Sequence, residues 1–363
     1  MEQIRLMKPD ISFADVESDF RHVFGSGIFT RGENVEAFRR EVAAYTGARY
    51  AVLTTSATTA LWVCLRLLGV KHGDEVAVAD FSFPATANVV EDLGAKPIFV
   101  DVSLDTFNMM PDDLERKISR RTKAVIFVDA LGNPSGVTEI KAICDRYRIP
   151  LIDDAACAMG SSENGRRCGS IADLTCFSFH PRKLISTGEG GAITTDRDDW
   201  AEWLETKLFH GAKGLKGMGL DFIEYGYNFR LPELQAIMGR KQLARIEQNV
   251  DERNIIRAEY TGCLNSLGFV SQRIGKNVRH NVQSLVFRVP ESYERDRLIG
   301  ALKIRNVEST IGTYCLSATT YYKRRYNCEQ PNSSLLNSTT ITLPCYRGLN
   351  VQYVTSAIKS ALE

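Results

Sequence analysis

Apolar and polar positions follow a repeating pattern between residues 50 and 195. Short apolar runs predict buried strands at residues 76–79, 97–100, 124–128 and 151–152, and later runs predict strands at 173–179 and 192–195. Helix-like stretches alternate with the first four runs, at residues 58–68, 86–93, 111–118 and 138–147. This alternation favours an α/β fold whose sheet is mostly parallel and carries helices on both faces.

The pattern changes after residue 230. Helical periodicity persists from Leu231 to about Leu267, and Pro232 suits a first helical turn. A predicted strand at residues 284–289 and a predicted helix at 294–302 follow. We therefore predict two domains, a large one of residues 1–245 that includes the N-terminal segment and a smaller α+β domain of residues 246–363. The length of 363 residues agrees with about two domains.

Composition narrows the class of protein. Lys and Arg number 45 and Asp and Glu 44, and a formal net charge of +1 argues against a general nucleic-acid binder. We expect no membrane span and no signal peptide, because no run has the length and apolar character that either needs. The nine cysteines include no C-x-x-C pair, which argues against a zinc site. Scattered thiols suit a reducing compartment, so we expect a cytoplasmic protein.

Two carboxylates follow a predicted buried strand. The run LIDDAACA places Asp153 and Asp154 at the carboxyl end of that strand, which is the edge where open α/β sheets bind ligands. A carboxylate there could pair with a cationic ring nitrogen, a metal ion or a ribose hydroxyl, or it could cap a helix. Lys183 lies in the later run FSFHPRKLISTGEGG. A loop lysine among glycines could form a Schiff base, or it could be an ordinary surface lysine.

Hydroxyl side chains lead into a predicted helix in the run TTSATTAL, residues 54–61. The free N–H groups and the dipole of a helix N-terminus suit a phosphate, although a plain Ser/Thr cap has the same sequence. An aromatic side chain in the run DFSFPATAN, residues 80–88, could stack on a planar ring or belong to the core. A phosphate seat, a stacking aromatic, an acid and a lysine are the parts that a pyridoxal phosphate (PLP) enzyme needs.

These segments, in this order, resemble the DegT/DnrJ/EryC1/StrS family of sugar aminotransferases, which are PLP enzymes of the aspartate-aminotransferase fold (fold type I). The resemblance runs from about Gly25 to about Arg253. It is carried by residues 32–45 (GENVEAFRREVAAY), 55–61, 81–88, 94–101 (GAKPIFVD), 153–158, 177–191 and 226–231 (GYNFRL). It implies a large domain with a mostly parallel, seven-stranded sheet flanked by helices, and a smaller C-terminal α+β domain.

The resemblance also implies roles around the cofactor ring. Lys183 falls on the Schiff-base lysine, Asp154 on the carboxylate that pairs with the pyridine nitrogen, and Phe83 on the stacking aromatic. Cys157 replaces the Gln or His that is usual near the phenolic oxygen, and a thiol is a weaker hydrogen-bond donor. One branch of the family has histidine in place of the lysine and acts as a dehydratase. Lys183 argues against that branch, and we expect His180 to be structural.

Further residues are implied at the phosphate and the substrate. The implied phosphate ligands are Thr58, Thr59, Ser178 and Asn228, the last reaching across from a partner subunit because family members are homodimers with shared active sites. Glu189, in the GEGG signature, and Arg230 are the implied substrate contacts, Arg230 for an anionic group. No metal is implied.

The resemblance implies transfer of an amino group, with L-glutamate as the expected donor, to a keto sugar that is nucleotide-linked. PLP and its amine form PMP would alternate in a ping-pong scheme. Two alternatives stay open, a free keto sugar or keto-cyclitol as acceptor and a PLP-binding sensor without turnover. The run STIGTYCL, residues 309–316, departs from the family's substrate segment and leaves the sugar open. The run YYKRRY, residues 321–326, could contact a nucleotide or form a solvated charged loop.

Overall fold

The computed structural model describes residues 3–363 of the chain. Its helices are α1 (Phe13–Ser26), α2 (Glu33–Thr46), α3 (Ala57–Leu67), α4 (Ala85–Asp92), α5 (Pro111–Lys117), α6 (Val137–Tyr147), α7 (Asp198–Leu208), α8 (Glu233–Leu243), α9 (Ile246–Asn265), α10 (Arg295–Ile304), α11 (Thr320–Tyr326), α12 (Pro331–Thr339) and α13 (Val351–Leu362).

The strands range from two to seven residues in length. They are β1 (Tyr50–Thr54), β2 (Glu75–Ala79), β3 (Phe81–Ser82), β4 (Lys96–Val100), β5 (Thr122–Val128), β6 (Leu151–Asp154), β7 (Ser162–Glu163), β8 (Arg166–Arg167), β9 (Leu174–Ser178), β10 (Gly191–Thr195), β11 (Ala212–Lys216), β12 (Gly219–Phe222), β13 (Val270–Ser271), β14 (Val278–Arg279), β15 (Leu285–Arg288), β16 (Thr310–Ile311), β17 (Tyr314–Cys315) and β18 (Thr340–Leu343).

Seven strands form the central sheet, in the order β1-β10-β9-β6-β5-β2-β4. Only β10 runs antiparallel to its neighbours within this sheet. The strands are mostly buried because both sheet faces are covered, as the five buried residues of β2 illustrate. The predicted α/β fold with a mostly parallel seven-stranded sheet is confirmed.

The direction of the strands decides where a ligand site can form. All strands of the central sheet except β10 run the same way, so the carboxyl ends of β1, β2, β4, β5, β6 and β9 share one edge. Ligands of open α/β sheets bind at that edge. The predicted site segments after β1, β2 and β6 therefore meet in space, although the first and the last are about 100 residues apart in the chain.

The predicted long helix of residues 231–267 is two helices, α8 and α9, so that prediction was wrong in detail. The break falls at Arg245, which has φ −111° and ψ 4°. Its guanidinium donates to the Asp15 carboxylate at 3.0 Å and to the Asp10 carbonyl at 2.7 Å. A contact with the N-terminal segment accompanies the break, and hydrophobic periodicity cannot reveal such a contact.

The run YYKRRY forms helix α11 and not a solvated loop. Tyr322 is buried, and its hydroxyl donates to Asn88 of α4 at 2.7 Å. Arg325 forms a salt bridge with Glu91 of the same helix at 3.1 Å. Helix α11 therefore packs on α4 through side chains that the sequence analysis considered for a nucleotide.

The C-terminal part has an antiparallel sheet of its own, in the order β13-β15-β18-β16, with α9, α10 and α13 contributing to one apolar core. Ile4 pairs with Val307, and the Cys345 N–H donates to the Leu6 carbonyl at 3.3 Å, so the N-terminal segment contacts this part. The division at residue 245 stays a prediction. Among residues 3–363, no helix is both long and apolar enough for a membrane crossing.

Candidate active site

Asp154 is the last residue of β6 and lies buried at the carboxyl edge of the sheet. Its Oδ2 accepts a hydrogen bond from the Thr86 hydroxyl at 2.8 Å, and its Oδ1 accepts one from the Ala156 N–H at 3.3 Å. Burial raises the pKa of the Asp154 carboxyl, whereas the Thr86 hydroxyl and the Lys183 ammonium lower it. No cation among residues 3–363 forms a salt bridge with Asp154, which leaves the carboxylate able to pair with a cationic ligand group.

Lys183 is half-buried and not a plain surface lysine. Its Nζ donates a hydrogen bond to the Cys157 Sγ at 3.0 Å. Cys157 comes three residues after Asp154, in the turn that follows β6. The structure therefore brings together Lys183, Cys157 and Asp154, as the sequence analysis expected, and the thiol is the group that accepts from the amine.

The start of α3 forms a seat of N–H groups and hydroxyls. Ser56 caps the helix, since its hydroxyl accepts from the Thr59 N–H at 3.1 Å, while the Thr59 hydroxyl donates to the Ser56 carbonyl at 2.8 Å. Thr58 is exposed at the second helical position. The cap that the sequence allowed is thus present, and it orients the helix N-terminus without covering it.

Strand register brings Ser178 to the same place. Thr54 of β1 pairs with Gly191 of β10, and Gly191 pairs with Ser178 of β9. These residues lie in a row across three strands, about 10 Å from end to end. A Cβ on Gly191 would lie 2.6 Å from the Ser56 carbonyl carbon, so only glycine allows α3 to begin this close to β10. The row places the Ser178 hydroxyl near the N-terminus of α3.

Phe83 follows β3 at the same edge and is 65% exposed, so it is not a core side chain. Its ring lies 6.2 Å from the ring of Tyr314, centroid to centroid. Tyr314 comes from β17, which pairs with β3. Thr86, three residues after Phe83, bonds to Asp154, so the exposed aromatic ring lies in the segment that contacts this acid and suits a planar ring. The pairing brings the STIGTYCL segment to this edge.

Asn228, Arg230 and Glu189 stand apart from this group. Arg230 Nε donates to Asn228 Oδ1 at 3.0 Å, and its guanidinium lies 5.0 Å from the Phe209 ring. No contact recorded for the described part of the chain joins either residue to Lys183 or Asp154. Glu189 is exposed in the loop of Lys183. Their implied roles at phosphate and substrate therefore stay predictions, which for Asn228 involve a second copy of the chain.

A buried amide that the sequence analysis missed fixes the lysine loop. Gln283 accepts a hydrogen bond from the Leu184 N–H and donates one to the Arg182 carbonyl, each at 2.6 Å. It thereby binds the backbone on both sides of Lys183. A buried glutamine next to a predicted strand was the only sequence signal, because its partners lie 101 and 99 residues away.

Asn281 does the same for the turn that carries Cys157. Its Nδ2 donates to the carbonyls of Cys157 and Met159 at 2.8 and 2.9 Å. Between Asn281 and Gln283 lies Val282, a fully buried β-branched residue with φ +53°. The left-handed region is unfavourable for such a residue, so the surrounding contacts hold this short segment in a strained conformation.

Asp153 points away from Asp154 and forms a buried acid pair with Asp129. Their carboxyl oxygens and the Cys168 Sγ approach within 4.8 Å of one another, and all three residues are buried. Burial, together with the charges of Glu163 and Asp154, raises the pKa of Asp129 to about 8. Burial also raises the pKa of Asp153, as does the charge of Asp129. At neutral pH the pair therefore retains protons.

A cavity of about 200 Å³ opens beside Lys183. Its lining includes four cations and two acids together with Asn249: Lys8, Lys183, Arg253, Arg347, Asp10 and Glu252. Arg253 is buried and donates to the Val282 carbonyl at 2.9 Å, and Glu252 lies 3.4 Å from Arg347. The cavity is thus a polar pocket with an excess of positive charge next to the reactive amine.

The residues at this edge fit PLP. The buried Asp154 carboxylate lacks a cationic partner, and a protonated pyridine nitrogen would supply one. Phe83 offers an exposed ring face, and the N-terminus of α3 with Thr58, Thr59 and Ser178 offers donors for a phosphate. Lys183 provides an amine for the cofactor aldehyde.

Comparisons with known proteins show the family of the chain. The model of the DegT/DnrJ/EryC1/StrS aminotransferase family matches residues 13–361. The spore coat polysaccharide biosynthesis protein SpsC of Bacillus subtilis (strain 168) is 30% identical over 354 residues, which are 93% of this chain and 91% of SpsC.

Two solved structures share the whole fold. The aminotransferase TlmJ from Streptoalloteichus hindustanus is 27% identical with a TM-score of 0.93, and the match covers 99% of each chain. The PLP form of Spr1654 from Streptococcus pneumoniae, described as a candidate sugar aminotransferase, is 27% identical with a TM-score of 0.93 and coverages of 99% of this chain and 98% of that one. This chain belongs to the DegT/DnrJ/EryC1/StrS aminotransferase family and is a PLP-dependent aminotransferase.

Proposed function

We propose that this aminotransferase moves an amino group from L-glutamate to a keto sugar that is nucleotide-linked. The observation that carries the proposal is the cavity beside Lys183, whose lining includes Lys8, Arg253 and Arg347. Glutamate carries carboxylates and a nucleotide-linked sugar carries a diphosphate, and cations of this kind bind both. Spr1654 is described as a candidate sugar aminotransferase and SpsC as a spore coat polysaccharide biosynthesis protein, which supports a sugar as acceptor.

In this proposal different residues of the site bind different parts of the cofactor. Asp154 would pair with the pyridine nitrogen, and Phe83 would stack on the ring. The N-terminus of α3, with Thr58, Thr59 and Ser178, would bind the phosphate. PLP, when bound, supplies an electron sink for the substrate carbon that bears the amino group. The negative charge of Asp154 favours the protonated ring nitrogen, and the Thr86 hydroxyl keeps that carboxylate oriented.

Lys183 carries the proton in this proposal. As a general base, its Nζ would take a proton from the substrate carbon that bears the amino group. As a general acid, it would then give this proton to the cofactor carbon C4′. Cys157, 3.0 Å away, accepts a hydrogen bond from the amine and holds it in place. Donor and acceptor use the same group of residues in turn, so we expect ping-pong kinetics.

We further propose that two copies of the chain share each active site, in a cytoplasmic homodimer. The exposed side chain of Asn228 and the half-buried side chain of Arg230 would then reach the phosphate and an anionic substrate group of the partner copy. The hairpin β11–β12 supports this arrangement, because it exposes Leu215, Met218 and Phe222, apolar residues that a second copy would cover. The free cysteines support a reducing compartment.

The first experiment is a visible absorption spectrum of the purified protein with PLP, before and after addition of L-glutamate. We expect a protein-bound cofactor band that glutamate bleaches and a keto sugar restores. We expect Lys183→Ala to abolish the cycle and Lys71→Ala, which alters an exposed lysine, to leave it intact. Absence of a bound band would overturn the cofactor site. A band that no amino donor bleaches would favour a sensor.

A second experiment tests the nucleotide. The KM of a nucleotide-linked keto sugar is compared with that of the same sugar without the nucleotide, in the native enzyme and in Arg347→Gln. We expect the substitution to raise the KM of the linked sugar about tenfold and to leave the free sugar unaffected. If the enzyme acts on the free sugar or on a keto-cyclitol as fast as on the nucleotide-linked sugar, the proposed nucleotide linkage is contradicted and the alternative acceptor is favoured.

A further inference from the structure

A basic groove lies at the edge of the central sheet opposite the candidate active site. We define it by Leu68, Ile118, Arg120, Lys123, Tyr147 and Arg148. It encloses about 770 Å³, within the range of small-molecule sites. Thr122 begins β5 and Pro150 precedes β6, and both line the groove, so it is at the amino ends of the strands whose carboxyl ends carry the cofactor site.

Three cations of the basic groove have no acidic partner. Arg120, Lys123 and Arg148 are exposed, and none forms a salt bridge or a side-chain hydrogen bond within residues 3–363. The lining contains no Asp or Glu. Three positive charges that share one concavity repel each other, so an anion bound among them would gain attraction from all three.

Neighbouring cations outside the groove are neutralised, which shows that acids are available nearby. Arg121 Nε donates to Glu75 at 2.9 Å, and Arg146 pairs with Glu115. Sequence neighbours of the groove cations thus have partners, while the groove cations do not. On a basic face that is only solvated, paired and unpaired cations would not be separated by the boundary of a cavity.

The backbone at Arg148 adds a second feature. Arg148 ends α6 with φ +56°, a left-handed conformation that favours glycine at this position. The chain has an arginine here in spite of the unfavourable conformation, and this arginine lines the groove with a cation. Attraction to the C-terminal end of the helix dipole is part of the reason, but it does not account for Arg120 and Lys123, which lie on another segment.

We propose that the basic groove binds a nucleoside diphosphate or triphosphate as a site separate from the active site. Two arginines and a lysine suit a chain of phosphates, since guanidinium groups bind phosphate oxygens in pairs. Tyr147 is 44% exposed and gives the wall an aromatic face for a base. Leu68 and Ile118 supply apolar surface. Because β5 is about 23 Å long, a ligand in the groove does not touch Lys183.

Hydrogen–deuterium exchange with ADP and with pyrophosphate, on the PLP-loaded enzyme, tests the proposal and locates the ligand. We expect ADP to slow exchange in residues 118–123 and 146–150. Replacement of the three cations, Arg120→Gln, Lys123→Gln and Arg148→Gln together, should weaken ADP binding about tenfold or more and remove that protection. A matched triple replacement of exposed cations elsewhere, Arg166→Gln, Lys276→Gln and Lys359→Gln, should change neither.

Tyr147→Ala separates the nucleoside from its phosphates. The substitution should weaken the binding of ADP and leave the binding of pyrophosphate unchanged. Equal binding of ADP and pyrophosphate, with no effect of Tyr147→Ala, would overturn the nucleoside part. Absence of protection at millimolar ADP, or protection that survives the triple replacement, would overturn the site itself. Thermal midpoints confirm that each variant folds, and the single variant Lys123→Gln, at an exposed position, serves if the triple variant does not.

Discussion

At the scale of the residue, the state of Asp154 decides whether the site can hold a cationic ring. Burial favours the neutral carboxylic acid, and the hydroxyl of Thr86 and the charge of Lys183 favour the carboxylate. Thr86 is itself fully buried, and its hydroxyl oxygen lies 2.9 Å from that of Ser82. Because the Thr86 hydroxyl donates to Asp154, it can accept a hydrogen bond from Ser82. A short chain of hydroxyls thus supports the acid that the cofactor needs.

Thr86→Val tests that support. The substitution keeps the shape of the side chain but removes a hydrogen bond that lowers the pKa of Asp154, so that pKa rises and the acid limb of activity moves to higher pH. We expect the affinity for PLP to fall about tenfold. The pH profile and a PLP titration measure both effects. Thr86→Ser, which keeps the hydroxyl, should behave like the native enzyme, and a valine variant that also does so would disprove the role.

At the scale of the element, the segment of residues 281–283 connects the C-terminal part of the chain with the two turns of the site. Asn281 binds the turn of Cys157, and Gln283 binds the loop of Lys183. Val282 between them is held with φ +53°. A β-branched residue stays in this conformation only where neighbouring contacts require it, here including the Arg253 guanidinium on its carbonyl.

Gln283→Leu should therefore affect chemistry as well as stability. It leaves the buried Leu184 N–H without an acceptor, at a cost of about 1–3 kcal/mol, and it frees the loop of Lys183, so kcat should fall and the pH titration of the cofactor band should shift. Gln272→Leu is the matched control, since Gln272 is another buried amide that donates to two backbone carbonyls, those of Thr106 and Ala130. Equal effects of both on kcat would contradict a positioning role.

At the scale of the whole molecule, the acid pair Asp129 and Asp153 makes stability depend on pH. The pKa of Asp129 is near 8 in the folded chain and about 4 in the unfolded chain. Between these values the folded state binds the extra proton. Stability is therefore greatest at low pH within this window and falls as the pH rises toward 8, by about 1.4 kcal/mol per pH unit for one proton.

Replacing both acids, Asp129→Asn with Asp153→Asn, should remove that dependence. The thermal midpoint of the native protein should fall between pH 6 and pH 8, and that of the double variant should change less and be higher at pH 8. Asp105→Asn, which alters an exposed carboxylate, is the control and should follow the native protein. A native midpoint that rises from pH 6 to pH 8 while the control behaves alike would refute the protonated pair.

Much of the fold was predictable because strands covered on both faces carry runs of apolar residues. The strands β2, β4, β5 and β6 therefore stand out as runs in the sequence. Helices α1 and α2 were not predicted, and the break between α8 and α9 was missed. That break coincides with Arg245 bonding to Asp10 and Asp15, which are more than 200 residues away in the chain.

The sequence by itself determined the alternation of strands and helices and the chemical types at the carboxyl edge, an acid, a lysine, hydroxyls and an aromatic, because these depend on local pattern and motif. Only the tertiary structure decided how they are held. The bonds of Thr86 to Asp154 and of Gln283 to the loop of Lys183 join residues 68 and about 100 positions apart. The basic groove likewise joins three separate segments. Contacts across such separations depend on how the sheet orders its strands, which local pattern does not encode.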